Sequence, residues 1–398
     1  MENHRKVYSL EEVEKMLLKA SIDGTNNPVN RILPIETEDR PANSQQKKFK
    51  NLQEYFQLYD KILTKKIASL QATRKELMIR ETIREELEQY IKLKFPGTLE
   101  QFGSCANGFG LKNMDMDLCL VTDLKEEKSE IVEQLGEYLK SSPKYQVLNI
   151  LSKTRIPIVK LEHCDLKIFA DIGINNILAL RNTLLLKSYC SLDPRVSQLG
   201  IAIKYWAKRR NINDPYHGTL SSYALNIMMI YFLQNKGILP NLQEDADPFL
   251  VDGFDTGFRQ NLKWKIQGSS CILSLLNEFF IFYARTFQYK DEIVSIRAKV
   301  DRVEKEWTIK NNGPNKKYWF CIEDPFELTH NLARGVTKGD LFDIRGEFLR
   351  GTKLIKEFKT LDELWKEFEF GEAFVSSEVQ AKKPLKKKSP IKIVKAKK

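Results

Sequence analysis

The chain lacks the cysteine and histidine patterns that build zinc sites or disulfide frameworks. Its six cysteines are scattered without a C-x-x-C pair, and its four histidines are too dispersed for a zinc finger. This excludes a small domain held together by disulfides or zinc, and it suits a reducing compartment. The chain also has no N-terminal signal pattern and no apolar run long enough to span a bilayer. No membrane association is therefore expected.

Positive charge is in excess and is concentrated at one end of the chain. The net charge is +11, which favours a polyanionic partner or a membrane surface. Residues 372–398 end in KKPLKKKSPIKIVKAKK, with nine lysines and no acidic residue. We expect this tail to be disordered and to serve as a nuclear-import signal, a non-specific RNA tether or both. Because the remainder is nearly neutral, a polyanion such as RNA would have to bind in clefts of the folded body.

The strongest chemical signal lies in Gln101–Val121, which reads QFGSCANGFGLKNMDMDLCLV. Asp115 and Asp117 are two positions apart in an alternating run, so in a strand both carboxylates emerge from the same face. Adjacent carboxylates repel each other, and a hard divalent cation such as Mg²⁺, or Mn²⁺, relieves that repulsion. A bare D-x-D also occurs on exposed strands, where both aspartates are simply solvated.

A Gly-Ser pair upstream supports the metal interpretation. Gly103 and Ser104 follow an apolar approach and predict a turn between a strand and a helix. Such a turn presents backbone N–H groups and a hydroxyl to a phosphate. The combination predicts a nucleoside triphosphate held between a turn and a metal.

A third carboxylate follows on a later strand. Tyr145–Leu151, Ile156–Leu161 and Leu166–Ile174 are β-branched or alternating runs separated by polar breaks, and they predict strands. Asp171 lies in the last of them among residues that are expected to be buried. Two-metal catalysis needs carboxylates that converge from neighbouring strands on ions ~3.5–4 Å apart. The alternative is that Asp171 is only a turn residue at the end of a strand.

Together these features resemble the polymerase-β-like nucleotidyltransferases. Further motifs are similar to those of the terminal uridylyltransferase and non-canonical poly(A) polymerase family. They are GFGLKNMDMDLCL, NNILALRNTLLLKSY, IKYWAKRR, GTLSSYALNIMMIYFL, LVDGFDTGF and IEDPFELTHN, and the similarity runs from about residue 50 to about residue 370.

The resemblance implies an α+β fold with two lobes and a central cleft. A mixed-sheet, polymerase-β-like catalytic domain would face a mainly helical central domain of the poly(A)-polymerase-associated type. Charged residues of the N-terminal helices are expected to face solvent. The predicted organisation is a flexible leader (1–45), N-terminal helices that pack with the helical domain (46–94), the catalytic domain (95–182), the helical domain (183–371) and the lysine-rich tail (372–398).

The helical domain carries residues that the resemblance assigns to the nucleotide. Lys204 and Lys208 lie four apart on one helical face and match the lysines that bind the triphosphate. Asn182, followed by Thr183, matches the residue that reads the ribose hydroxyls. Either lysine could instead be a solvated surface residue.

Base recognition is expected from two further motifs. Ser222 and Tyr223 open a helix; Ser222 also suits an N-cap, and Tyr223 matches the ring on which the base stacks. In IEDPFELTHN, the resemblance places Asp324, Glu327 and His330 at the nucleotide, with Glu327 and His330 where a helix begins. The histidine matches the position that contacts uracil and crowds out a purine. The alternatives are an ordinary core tyrosine and a packed or surface histidine.

These residues predict a template-independent RNA nucleotidyltransferase that adds UMP from UTP to RNA 3′ ends and releases pyrophosphate. Asp115, Asp117 and Asp171 would be the catalytic metal ligands. Lys153, Arg155 and Lys160 could contact the RNA backbone or could be solvated surface residues. Poly(A) addition, a catalytically silent RNA-binding scaffold and a small-molecule nucleotidyltransferase are the alternatives.

The expected protein partner and cellular location follow from motifs that the sequence does not contain. No RNA-recognition motif or zinc knuckle is visible, so a protein partner is expected to supply RNA selectivity to a monomeric catalytic unit. The cysteine pattern predicts a cytoplasmic location, and the lysine-rich tail leaves a nuclear one open.

Overall fold

Two lobes, one built on a sheet and one on helices, make up the folded body. The computed structural model describes residues 49–297 and 318–369. The predicted leader (1–45) and the lysine-rich tail (372–398) lie outside these residues. Within the two described ranges, no helix combines the length and the apolar character needed to cross a bilayer.

A five-stranded mixed sheet forms the first lobe. Its strand order is β1-β2-β5-β4-β3, in which β2 and β5 are parallel and all other neighbours are antiparallel. The predicted α+β class with a mixed sheet is confirmed. The strands are β1 (Thr98–Phe102), β2 (Met116–Val121), β3 (Tyr145–Leu151), β4 (Ile158–His163) and β5 (Phe169–Ile174).

One face of this sheet forms the core of the lobe. Alternate residues such as Leu118 on β2 and Ile172 on β5 are fully buried there. The apolar faces of α2 (Arg74–Lys92) and α3 (Lys128–Leu139) cover them. Burial of each such aliphatic side chain contributes about 1.5–3 kcal/mol. Because side chains alternate along a strand, the intervening residues of β2 and β5 lie on the opposite face.

The second lobe is a helical assembly around one apolar core. Between its helices lie a 3-10 turn (Pro215–His217) and a two-stranded ribbon of β6 (Leu250–Val251) and β7 (Phe254–Asp255). The helices are α1 (Leu52–Leu70), α4 (Ile177–Leu192), α5 (Pro194–Arg209), α6 (Ser222–Asn235), α7 (Ile272–Ile281, continued by a π-helical turn over Phe282–Thr286), α8 (Lys338–Lys356) and α9 (Leu361–Leu364).

The predicted N-terminal unit (46–94) is divided between the lobes. Only α1 packs with the helical lobe, where Tyr55 and Leu63 join its core. The next helix, α2, instead packs its stripe of isoleucine and leucine side chains on the sheet. A break at residues 71–73 separates the two helices, because Thr73 forms a capping box with Glu76 and starts a new helix. The expected packing of both helices on the helical domain therefore does not hold for α2.

Two other helix boundaries differ from the sequence expectation for local reasons. The Asn176 side chain accepts from the Ala179 N–H and starts α4 there, so the predicted boundary between residues 182 and 183 falls inside a helix. The sequence pattern predicts a helix over residues 346–370, whereas a capping box between Thr337 and Asp340 starts α8 at Lys338. Phe358, with a φ of +56°, follows the end of that helix.

A buried ion pair joins the last helices of the lobe. Arg210 and Glu347 have side chains that are each 1% exposed, and two guanidinium nitrogens donate to the carboxylate at 2.8 and 2.9 Å. Arg210 also donates to the Lys366 carbonyl at 2.9 Å. This geometry is bidentate, so it fixes the end of α5 against α8 and the segment that follows α9.

We expect Glu347→Ala to lower the free energy of unfolding by about 3–5 kcal/mol, because it leaves a buried guanidinium without its carboxylate. Glu357→Ala is the matched control near the end of the same helix, since its pair with Lys353 is exposed and 3.9 Å long. That change should cost less than about 1 kcal/mol. Urea unfolding of both variants measures the difference, and equal losses would contradict the assigned role of the buried pair.

Candidate active site

Three aspartates meet where β2 and β5 run side by side. Asp117 on β2 is paired in register with Asp171 on β5, and Asp115 directly precedes β2. Because Met116 and Leu118 are fully buried in the core, Asp117 lies on the opposite face of the sheet, together with Asp171. The strands are adjacent, as convergence of the three carboxylates requires.

Electrostatics in this group disfavour three bare carboxylates. Burial, followed by the charges of Asp171 and Asp115, raises the pKa of Asp117 to about 6. Burial and then the charge of Asp171 also raise the pKa of Asp115. Hard divalent cations take carboxylate oxygens as ligands, and their charge relieves this repulsion. The donor set therefore fits Mg²⁺ or Mn²⁺.

Lys160 supplies a positive charge beside the third aspartate. It lies opposite Asp171 on β4, and its ammonium group forms an ion pair with Asp171 Oδ2. Lys160 was a candidate RNA contact, but here it faces a carboxylate of the aspartate cluster. Among the residues that the structure describes, no three Asp, Glu, His or Cys side chains are close enough to hold a metal ion.

The Gly-Ser turn shapes the site differently from the sequence expectation. Gly103 begins a short 3-10 turn over Gly103–Cys105, and its N–H donates to Thr183 Oγ1 at 3.0 Å rather than facing a phosphate. A Cβ on Gly103 would lie 2.2 Å from Asp117 Oδ2. The glycine therefore makes room for the carboxylate, and its φ of +66° favours glycine as well.

Two neighbouring predictions are affected by this arrangement. The hydroxyl of Thr183 accepts from Gly103 and donates to the Ala179 carbonyl at 2.8 Å, so it supports the turn instead of facing a nucleotide. Thr183 is a buried residue of α4, and its side chain faces the turn. The hydroxyl of Ser104 makes only a 3.6 Å contact with Met114 Sδ, a weak acceptor, and it remains suited to a phosphate.

Arg80 is a functional residue that sequence reasoning missed. It is 5% exposed, and its Nη2 and Nε donate to the Met114 carbonyl at 2.8 and 3.3 Å, directly before Asp115. It thereby holds the approach to the D-x-D segment. A signal was present, because Arg80 lies on the same helical stripe as Ile83 and Leu87, which are both buried.

Two lysines on α5 approach the carboxylates from the helical lobe. Lys204 is 8% exposed, and Lys208, one turn later, is exposed. Burial and then the charge of Lys208 lower the pKa of Lys204 to about 8, against the opposing charge of Asp117. Two cations on one helical face opposite a carboxylate cluster are suited to binding a triphosphate between them.

Three residues predicted to contact the nucleotide converge from separate elements. The Tyr223 hydroxyl donates to Asn182 Oδ1 at 2.8 Å, which joins α6 to α4. Burial and the nearby Asp324 raise the pKa of Tyr223 well above its usual value. Ser222 donates to Asn213 Oδ1 at 3.0 Å, and Ser221, not Ser222, caps α6.

The segment that carries Glu327 and His330 is a closed loop and not the start of a helix. Asp324 Oδ1 accepts from the N–H groups of Phe326 and Glu327 at 2.9 and 3.0 Å, as a helix cap would. The Asp324 N–H, however, donates back to the His330 carbonyl at 3.1 Å. Asn331 closes the loop further by accepting from Ile322 N and donating to a backbone carbonyl.

Both ring nitrogens of His330 have partners. Nδ1 lies 3.3 Å from Glu327 Oε2, and Nε2 lies 2.6 Å from Arg334 Nη1. Because a guanidinium group only donates, Nε2 must accept, so the proton of the neutral ring lies on Nδ1. Burial lowers the pKa of His330, which favours this neutral form. A base can pair with His330 only when Glu327 or Arg334 moves away.

We call the loop of residues 324–331 the base loop. Contacts between the lobes hold it close to the sheet. Arg155, in the turn between β3 and β4, lies 3.7 Å from Glu327 Oε2, while Lys153 in the same turn is exposed. Arg297 pairs with Asp255 at 2.6 Å and donates to the Pro325 carbonyl at 3.2 Å. The loop is therefore held from both sides of the cleft, and the predicted RNA contacts at 153 and 155 lie at its edge.

Comparison with protein families identifies two matching regions. Residues 59–191 match the central palm domain of the mitochondrial-like poly(A) RNA polymerases. Residues 271–330 match the Cid1 family poly(A) polymerase domain. The first region contains the carboxylate cluster, and the second ends at His330. Both lobes of the candidate site are therefore represented in known families.

Individual relatives extend this similarity over most of the folded body. The chain is 38% identical over 279 residues to the terminal uridylyltransferase cid1 of Schizosaccharomyces pombe, which covers 65% of this chain and 68% of that protein. It is 35% identical over 298 residues to the terminal uridylyltransferase 4 of Homo sapiens, with 69% of this chain and 18% of that protein covered. Other similar proteins are named poly(A) RNA polymerases.

Solved structures of the Cid1 poly(U) polymerase share the fold. A structure with bound magnesium and 3′-dATP has a TM-score of 0.71 and 35% identity, and it covers 79% of this chain and 100% of that one. Other Cid1 structures contain the UTP analogue UMPNPP or the short product ApU. The mixed sheet and the helical lobe are thus those of an RNA terminal nucleotidyltransferase.

We expect Gly103→Ala to weaken Mn²⁺ binding by about 10- to 100-fold, because the new Cβ displaces the Asp117 carboxylate. Gly237→Ala is the matched control. Gly237 has a φ of +68°, close to that of Gly103, but a Cβ added there would have no atom within 4 Å. Both variants carry the same backbone strain, so electron paramagnetic resonance titration with Mn²⁺ isolates the contact. Equal affinities in the two variants would contradict the role of Gly103.

Proposed function

Because the chain belongs to the Cid1 family of RNA terminal nucleotidyltransferases, we propose that it adds uridylates from UTP to RNA 3′ ends. The observation that carries the choice of UTP is the loop around His330. Asp324, Glu327 and His330 lie in one closed turn, and Asp324 interacts with Tyr223, the ring proposed to stack on the base. In this interpretation the RNA 3′-hydroxyl attacks the α-phosphate of UTP, and pyrophosphate leaves.

The carboxylates and the lysines have different roles at the triphosphate: the carboxylates would bind metal ions, and the lysines bind phosphates. Mg²⁺ or Mn²⁺ held by Asp115, Asp117 and Asp171 would neutralise phosphate charge and lower the pKa of the attacking hydroxyl. Lys204 and Lys208 bind the phosphates from the opposite lobe. The chain forms no covalent bond to the substrate in this proposal, so positioning and charge supply the rate.

Base choice follows from the hydrogen-bonding edge of uracil. Its O4 accepts a hydrogen bond where adenine carries an amino donor. In the proposed complex, His330 gives up its contact with Arg334 or Glu327 and donates an N–H to O4 of uracil. Adenine in the same place has no acceptor there, so that donor stays unpaired. An unpaired buried donor costs about 1–3 kcal/mol, which corresponds to roughly ten- to a hundredfold discrimination.

Addition of adenylate is the second candidate, and one observation favours it. Both nitrogens of His330 already have protein partners, so the ring presents no N–H to a base in the arrangement described. A site that keeps those partners has no means of rejecting adenine through His330. Relatives named poly(A) RNA polymerases are also among the similar proteins.

Asp115→Asn, Asp117→Asn or Asp171→Asn should each lower RNA tailing by at least about a thousandfold. The charge stabilisation lost with a metal ligand is worth several kcal/mol. Extension of a labelled oligoribonucleotide with Mg²⁺ and UTP measures the effect, and thermal melting checks the fold. Asp123→Asn, an exposed aspartate just beyond β2, is the control and should be fully active. Near-normal tailing by a triad variant with an unchanged melting temperature would falsify the catalytic assignment.

His330→Asn should raise the use of ATP relative to UTP by roughly ten- to a hundredfold without touching a proposed metal ligand. Tyr223→Ala should weaken all nucleotides together by ~1–3 kcal/mol, because every base has a face on which to stack. The measurement is kcat/KM for UTP and for ATP in wild type and in both variants. A wild type that prefers ATP, or an unmoved ratio in His330→Asn, would replace the uridylyl proposal with poly(A) addition.

A further inference from the structure

A cavity lies beside the start of α8, apart from the residues assigned to the nucleotide. Its volume is about 260 Å³. This is below the roughly 300–1,000 Å³ of pockets that enclose a drug-sized ligand, so it suits a smaller group. We call it the aromatic cavity, and it is lined by Tyr289, Lys290, Tyr318, Trp319, Lys338, Leu341, Phe342 and Arg345.

The lining of the aromatic cavity combines flat rings with positive charge. The Lys338 ammonium lies 5.4 Å from the centroid of the Trp319 ring and 5.9 Å from that of Phe342. The Arg345 guanidinium lies 5.0 Å from the Tyr289 ring. Three of the eight lining residues are cations, and none is acidic. Such a surface favours a ligand that has both an aromatic face and a negative charge.

The chain places this cavity close to the base loop. Trp319 precedes Asp324 by five residues on one segment, and Lys338 follows His330 by eight. That segment is fixed because Ile322 pairs with Val294, just after Tyr289 and Lys290 in the chain. On the other side of α8, Asp340 lies against Gly218, in the loop that leads to Tyr223. The aromatic cavity is thus a neighbour of the proposed nucleotide site and shares no residue with it.

We propose that the aromatic cavity binds an unpaired base of single-stranded RNA upstream of the 3′ end, with Lys290 and Lys338 on the adjoining phosphates. This inference rests on the proposed function only in taking RNA as the substrate. A nucleotide unit matches both features of the lining, since its base stacks and its phosphate carries charge. A docked apolar protein segment would use the rings but not the cations. Stacking accepts any base, so the cavity adds affinity and not sequence selectivity.

The test uses the full chain and a fluorescently labelled 15-nucleotide RNA with a blocked 3′ end, without any nucleoside triphosphate. Phe342 is 47% exposed, so its replacement is tolerable for folding. Phe342→Ala should raise the Kd for this RNA by roughly five- to a hundredfold, since one stacked base is worth ~1–3 kcal/mol. Phe342→Tyr keeps a ring and should restore binding. The Kd for UTP should be the same in all three proteins.

Two lysines of α8 test whether positive charge at the cavity contributes to RNA binding, one as the test and one as its control. Lys338→Gln should reduce the dependence of log K on log salt by about 0.7, as expected for one lost phosphate contact to a single strand. Lys353→Gln changes an exposed lysine at the far end of α8 and should leave that slope unchanged. Thermal melting confirms that each variant is folded.

Two results would overturn the proposal. One is an unchanged RNA affinity in both Phe342→Ala and Lys338→Gln, which would leave a protein segment as the occupant of the cavity. The other is an equal loss in Phe342→Tyr and Phe342→Ala, which would show that the ring does not stack. Because the RNA is blocked and no triphosphate is present, the nucleotide preference of the enzyme does not affect these outcomes. A wild type that binds this RNA but adds adenylate contradicts only the proposed function.

Discussion

Parallel pairing of β2 with β5 holds two carboxylates in register, and the remaining parts of the site depend on that constraint. Asp117 and Asp171 face each other across this pair, and Asp115 adds a third negative charge. Parallel neighbours need a crossover connection, and here α3 and strands β3 and β4 provide it. The same connection returns β4 beside β5, which brings Lys160 next to Asp171. The fold therefore gathers negative charge and supplies a neighbouring cation through one topological feature.

The helix that leaves this sheet connects the two lobes. Helix α4 begins directly after β5, and one of its side chains, Thr183, accepts a hydrogen bond from the Gly103 turn that borders Asp117. The adjacent residue, Asn182, instead accepts a hydrogen bond from Tyr223 in the helical lobe. Consecutive residues of α4 thus contact the Gly103 turn and Tyr223. A single helix therefore contacts both halves of the site.

Features that depend on local pattern could be predicted from the sequence. The alternation in Tyr145–Leu151 predicts β3 with its observed ends, and the D-x-D spacing predicts side chains on one face. Features that depend on a distant partner could not. The apolar stripe of α2 shows that the helix packs, but not that it packs on the sheet. The same stripe includes Arg80, but nothing in the pattern identifies its carbonyl partner, which lies 34 residues away. The turn at Glu327 and His330 resembles a helix start because Asp324 makes the contacts of a cap, and only the return bond to the His330 carbonyl shows a loop.

Glu327 joins the loop around His330 to the opposite lobe. Its carboxylate lies 3.3 Å from His330 Nδ1 within the base loop and 3.7 Å from Arg155 on the opposite lobe. A movement that separates the lobes removes Arg155 and leaves the whole negative charge to the histidine, which favours a proton on Nδ1. A movement that closes them draws the carboxylate toward Arg155 and loosens its hold on the ring. Because Arg334 engages the other nitrogen, the hydrogen-bonding capacity of His330 depends on where both charged partners lie. The proposed base selection therefore depends on Glu327 and Arg334 as well as on the histidine.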